Sequence, residues 1–467
     1  MTQNNPTRKI SEFLSLVLPV SSGDAVSFLK RYFSNTSWLL FEKVFASLVS
    51  FWVGVYVIRY LGPTHYGILS YALSFVAMFS GIASLAYSGI VIRDLVHSEE
   101  ERDELLGTSF VLKLAGALLV LILVSIVIAI IPNDRVTNWS ILIIAGAPIF
   151  RSLDVIDFYF QSKVLSKYPV WVRCVSMVVS SGLKLLLIFL RAPLIWFVVV
   201  IAMESVVIAS GLVLVFMSHK LKVNWSRFKK QLALRVLRDS WPLMLSSILV
   251  SVYMRVDQVM IKNMLDAEAV GIYAVAVYMT EIWYFLPAIV MGSLFPGMVN
   301  VRENDHKLYM EGLQKLHDVF FLIAIGIGLV VTLCSSKIIN LLFGVSFMEA
   351  RIPLAIYIWS VVFMFQTTIR GQFLIIENKQ QIGLWFRIFT TMVSIGLSLL
   401  LIPRYGIVGA AFATLISYGL PIYVGSIFHP LLRLNLGMCL KSYLAPFRLL
   451  RFLLSAIRGR RAYFFRV

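Results

Sequence analysis

Eight basic side chains interrupt otherwise apolar stretches of this chain: Lys43, Lys113, Arg151, Arg173, Lys184, Arg255, Arg370 and Arg387. In a stretch long enough to cross a bilayer, a central Arg, Lys or Asp costs about 2.5–3.5 kcal/mol, so it needs a partner or a polar cavity. Lys43, Lys113, Arg173 and Arg387 lie roughly five residues from the end of a stretch, within snorkelling reach, and read as interfacial anchors. Arg370 is intermediate. Arg151, Lys184 and Arg255 are deepest and are the stronger functional candidates, the alternative being interhelical ion pairs that hold a bundle together. The acids supply counter-charges. Arg151, Asp154 and Asp157 recur every third residue and predict one stripe on a helix. There Arg151 is expected to keep one carboxylate ionised, while its like-charged neighbour is left able to carry a proton, as ion-coupled transport requires. Arg255 and Asp257 are two apart and point to different sides; Glu281 and Glu204 complete the set.

Other chemistries find little support. There is no P-loop, no HExxH and no nucleophile motif, and the six histidines are scattered without metal-ligand spacing. Cys174, Cys334 and Cys439 are far apart and form neither a disulfide framework nor a zinc site. No cofactor, metal or enzymatic activity is expected.

The elements that must carry these residues follow from composition. Of 467 residues, 59% are hydrophobic and 14% charged, with a mean hydropathy of +0.85. Such a chain is too apolar for a soluble enzyme or a disordered segment and reads as an all-α polytopic membrane protein. Twelve spans of about 20 residues are expected, at 37–58, 68–92, 108–131, 139–160, 169–190, 193–217, 241–262, 271–295, 317–335, 352–376, 382–402 and 407–429. The net charge of +18 sits mostly in the connections, which argues against nucleic acid as the partner. Lys and Arg are roughly four times as frequent on the side holding both termini as on the other, which predicts cytoplasmic termini. The N-terminal run 13–20 reads as an interfacial segment. The tail FRLLRFLLSAIRGRRAYFFRV, 447–467, reads as an amphipathic helix on anionic lipid.

Two stretches repeat in order. Ser-Trp at Ser37 and again at Ser240 is followed about 30 residues later by a Gly-Ile pair opening the next span, Gly67-Ile68 and Gly271-Ile272. Further on, RCVSMVVSSGLKLLLIFLR from Arg173 matches RIFTTMVSIGLSLLLIPRY from Arg387, with Gly182 and Gly396 in register. A parallel six-span repeat predicts two lobes about an axis along the membrane normal, facing a central cavity. The expected organisation is an N-terminal segment 1–36, an N-lobe 37–217, a basic linker 218–240, a C-lobe 241–430 and a basic tail 431–467.

RYLGPTHYG after the first span resembles the polysaccharide repeat-unit flippases, the Wzx-type O-antigen and exopolysaccharide translocases. So do S-W-P…D-Q-V-M-I…V-G-I-Y-A-V-A (240–276), LFGVSFMEA (342–350) and PRYGIVGAAFATLISYGLP (403–421). These share a superfamily with multidrug and toxin extrusion (MATE) exporters and lipid II flippases. The resemblance implies alternating-access transfer of an undecaprenyl-diphosphate-linked oligosaccharide across the bacterial inner membrane, coupled to an ion gradient. It implies helices 1, 2, 7 and 8 around the cavity, beside a polysaccharide polymerase and a chain-length regulator as partners. Arg255, Arg151, Lys184 and Arg370 are then the candidates for gripping the diphosphate, guanidinium groups bidentately and ammonium as a point charge. Asp154, Asp157, Asp257 and Glu281 are the candidates for ion coupling. Two other functions compete. A MATE-type cation antiporter would need an acidic cavity, and a membrane glycosyltransferase or polymerase would need larger external loops than this chain has.

Overall fold

The structure, a computed structural model, describes residues 22–220, 227–427 and 430–448. The N-terminal run 13–20, residues 221–226 of the expected linker and nearly all of the tail 447–467 lie outside the described residues.

Every regular element among the described residues is a helix. In chain order they are α1 (Ser22–Phe79), α2 (Ser88–His97), α3 (Arg102–Ile130), α4 (Arg135–Arg151), α5 (Val155–Ser162), α6 (Lys167–Phe189) and α7 (Leu194–Ser218). The second half holds α8 (Lys230–Met264), α9 (Ala267–Glu281), α10 (Phe285–Asn304), α11 (His306–Leu342), α12 (Arg351–Tyr357), α13 (Ser360–Ile376), α14 (Gln380–Ile427) and α15 (Pro430–Ser442). Among the described residues eight helical segments are long and apolar enough to cross a membrane, or nine if the bent pair Val345–Tyr357 and Ser360–Ile376 is one span.

That number is smaller than twelve for physical reasons. As a straight rod α1 would run about 87 Å, against a hydrocarbon core of about 30 Å. It is divided by Gly62, whose φ of 70° no ordinary helical residue adopts, followed by Pro63. Its two arms hold the first expected span and about half of the second. α14 is divided in the same way at Gly406 (φ 58°) into arms holding the eleventh and twelfth. The chain reverses there: a Cβ on Gly409 would lie 2.2 Å from the Leu401 carbonyl oxygen. The fourth expected span is helical but interrupted. A 3-10 turn, Ser152–Asp154, separates α4 from α5, and the Ser152 hydroxyl donates back to the Ile149 carbonyl at 2.6 Å.

The exterior is apolar where a soluble protein would be polar. Phe189 and Leu333 are each 83% exposed, Ile130 and Leu341 76%. Inside, one apolar cluster lies within the first half and the start of α8, one mainly within the second half, and one spans both halves around Tyr71, Tyr273 and Ile402.

Candidate translocation site

The two halves meet along α1, α8 and α9. The second arm of α1 crosses α9 at backbone contact. A Cβ on Gly67 would fall 1.7 Å from the Ala267 carbonyl oxygen, and one on Gly271 would fall 1.9 Å from that of Pro63. The two clashes are mirror copies, so the Gly-Ile pairs of the repeat mark the point where the halves touch most closely. Farther along, Tyr278 of α9 donates to the Ser50 and Phe51 carbonyls of α1 at 2.7 and 2.9 Å. On the α8 side, Ser70 and Ser74 both donate to Gln258 Oε1, at 2.6 and 2.8 Å. Ser80 meets Ser251 at 3.3 Å, and Arg93 of α2 pairs with Asp239 at 3.2 Å.

One turn along α9 from Tyr278, Glu281 binds Arg255 of α8. The ion pair is 2.9 Å, with side chains 28% and 22% exposed. Glu281 Oε1 and the nearby Trp283 Nε1 are buried with no hydrogen-bond partner. Tyr66, Tyr278, Trp283 and Tyr284 pack against the same apolar core. Arg255 is therefore not free to meet an anion, as its separation from Asp257 alone suggests; the carboxylate of the next helix already engages it. Asp257 points elsewhere and is 1% exposed. It accepts from the Tyr273 hydroxyl at 2.5 Å, the Thr414 hydroxyl at 3.2 Å and the Gln258 N–H at 2.7 Å. It thus joins α8, α9 and the second arm of α14.

The Arg151–Asp154–Asp157 stripe does not persist as one helical face, because the 3-10 turn falls inside it. Arg151, 62% exposed, keeps only a long contact to Asp154 (3.8 Å), which Lys113 of α3 shares at 3.7 Å. Asp157 turns instead to Arg173 of α6 and accepts from Gln161 at 2.9 Å. Arg173 also reaches Glu42 of α1 at 3.2 Å. Lys184 pairs with Glu204 at 3.7 Å, and Ser180 donates to the same carboxylate at 2.8 Å. Arg370 joins none of these groups and lies with its guanidinium 4.7 Å from the centre of the Phe386 ring. Glu42 is absent from the sequence-derived set; an acid inside an apolar span is the signal that could have raised it. Among the described residues, no group of three or more His, Cys, Asp or Glu is placed to hold a metal ion.

With this geometry in hand, three similarities are informative. The capsular polysaccharide biosynthesis protein CapF of Staphylococcus aureus is 23% identical over 403 residues, covering 82% of this chain and 97% of CapF. The lipid II flippase MurJ, in an inward closed conformation, superposes with a TM-score of 0.67 at 14% identity, covering 93% of this chain and 94% of MurJ. An inward-facing MATE family transporter of the MOP superfamily gives a TM-score of 0.64 at 14% identity, covering 85% and 96%. At those identities the structural likeness speaks for the fold alone, a multi-pass helical membrane fold that these two proteins share with this chain. Residues 33–301 match the model of a family described as polysaccharide biosynthesis protein, more than half of the chain, and the chain belongs to that family.

Proposed function

We propose that the protein is a non-enzymatic flippase. It carries undecaprenyl-diphosphate-linked oligosaccharide units from the inner to the outer leaflet of the bacterial plasma membrane, with both termini cytoplasmic, for assembly into a surface polysaccharide. The two halves act as the lobes of an alternating-access carrier. The reading is supported by the family, by the carrier fold and by one observation above all: the Arg255–Glu281 pair beside the seam where Tyr278 holds α1. A diphosphate competes with Glu281 for the Arg255 fork, since phosphate oxygens and a carboxylate accept the same bidentate donors. Loading the cargo then frees Glu281, and with it a constraint on α9 beside the seam. The alternative of a cation exporter is less well supported, because Glu281, Glu204, Asp154 and Asp157 all have basic partners. Ion coupling falls to Asp257, a carboxylate held by hydroxyls between three helical segments, where a proton or a small cation can exchange for a hydroxyl contact.

The test is complementation of a flippase-deficient strain, scored per unit of membrane-inserted protein. Arg255→Ala is expected to lower surface polysaccharide roughly tenfold or more, the loss of one charge-assisted contact. Arg255→Lys, which keeps the charge without the fork, should fall between. Asp257→Asn should abolish the response of transport to pH or Na⁺. Full transport by well-expressed Arg255→Ala would refute the cargo role, and an unchanged ion response in Asp257→Asn the coupling role.

A further inference from the structure

Arg370 differs from the other deep basic residues. Lys113, Arg173, Lys184 and Arg255 each reach a carboxylate. Arg370 is 5% exposed, and its Nε is buried with no hydrogen-bond partner. Among the described residues no carboxylate lies within ion-pair distance of it. A guanidinium buried without an anion is costly, and the face of the Phe386 ring offsets only part of that cost. The site is complete only with a negative group, and none of the described residues supplies one there.

Arg370 does not line it, but on the same face of α13 an apolar groove of about 580 Å³ opens, within the size range of sites that bury a drug-sized ligand and long enough for part of an acyl chain. Phe321 and Ile325 of α11, Phe363 of α13, Ile416 and Leu420 of α14 and Tyr443 just after α15 line it. Phe363 and Arg370 are seven residues apart on α13, hence on one face and about 10 Å apart along the axis. The ring beneath Arg370 presses on the same arm of α14 that forms the groove wall: a Cβ on Gly425 would lie 2.3 Å from Phe386. On the side of the groove toward Arg370 the Tyr423 and Tyr443 hydroxyls bond to each other, and Cys439 of α15, a neighbour of Arg370, lies 3.7 Å from the Tyr443 oxygen.

We propose that Arg370 and this groove form a resident site for one anionic phospholipid, with its phosphate on Arg370 and an acyl chain along the groove. Basic pockets between membrane helices take lipid head groups in this way. The occupant is a resident lipid rather than the cargo, because every lining residue comes from the second half and none from α1–α7. A passenger moving between two lobes needs walls from both. The lipid would also fasten α15, which is already keyed to α11 and α13 through Asn435–His317 at 3.2 Å and Gln366–Ser442 at 3.3 Å.

The experiment is native mass spectrometry of the full chain released from nanodiscs of phosphatidylethanolamine with a minority of phosphatidylglycerol. The wild type should retain one phosphatidylglycerol. Arg370→Met should lose it roughly tenfold or more, the worth of a charge-assisted contact, and Arg370→Lys should retain part. Ile416→Trp, which fills the groove from its open side and leaves the charge in place, should lose it as well. Removing an unpaired charge is not expected to harm folding, and if Arg370→Met fails to insert, Ile416→Trp decides. The proposal is overturned by unchanged retention in either variant. Equal retention of phosphatidylethanolamine, displacement by inorganic phosphate alone, or preference for a polyprenyl diphosphate when one is included would overturn it too.

Discussion

At the scale of residues, charge and depth were legible in the sequence, and partners were not. Arg255, Lys184, Glu281 and Asp257 could be picked out because an ionisable group within an apolar span is conspicuous. That Arg255 meets Glu281, or that Arg173 and not Arg151 meets Asp157, depends on the relative register of two helices, which no local spacing encodes. Asp157 is the sharpest case. Its side chain is 4% exposed and Arg173 is its one ion-pair partner among the described residues. Removing one member of a buried pair leaves the other uncompensated, at about 3–5 kcal/mol. Arg173→Met should therefore lower the thermal midpoint of the purified protein sharply. Arg173→Met with Asp157→Asn should recover part of the loss, because the more deeply buried of the two stranded carboxylates is neutralised while Glu42 stays unpaired. If the double variant is no more stable than Arg173→Met, the pair is not what holds α5 to α6.

At the scale of elements, helicity, most span positions and the repeat followed from hydropathy and motif order. The breaks followed only in part. Gly62 and Gly406 leave the helical region in the connections that hydropathy places between spans, whereas the 3-10 turn at Ser152–Asp154 splits a stripe that presumed one regular helix. Nor could the repeat say which of its glycines pack. Gly182 and Gly396 are in register, yet a Cβ on either meets nothing within 4 Å. Gly67 and Gly271 meet each other's helix backbone, which cannot rotate away as a side chain can. Gly67→Ala and Gly271→Ala should each destabilise by about 3 kcal/mol, the upper end of overpacking. Gly182→Ala and Gly396→Ala should be neutral or stabilise by about 0.5–1 kcal/mol, the helical preference of Ala. Thermal unfolding of the four variants in one detergent checks this, and four equal midpoints would show that the crossing is not tight.

At the scale of the molecule, the fold class was accessible from composition because an apolar chain of this length has few ways to satisfy its backbone in lipid. The seam was less accessible: where α1 meets α8 and α9 depends on tertiary packing, through paired glycines and serines with a charge pair set one turn from the Tyr278 contact. The account stands or falls on whether this molecule moves a lipid-linked sugar between leaflets. The direct measurement uses proteoliposomes loaded in both leaflets with an undecaprenyl-diphosphate-linked oligosaccharide. A membrane-impermeant reagent that modifies the glycan then reports how much is reachable from outside. With the wild type, modification is predicted to proceed past the outer-leaflet fraction toward completion, and with Arg255→Ala to slow by roughly tenfold. Modification that stops at the outer-leaflet fraction, with wild-type protein shown to be folded and inserted, would contradict the account.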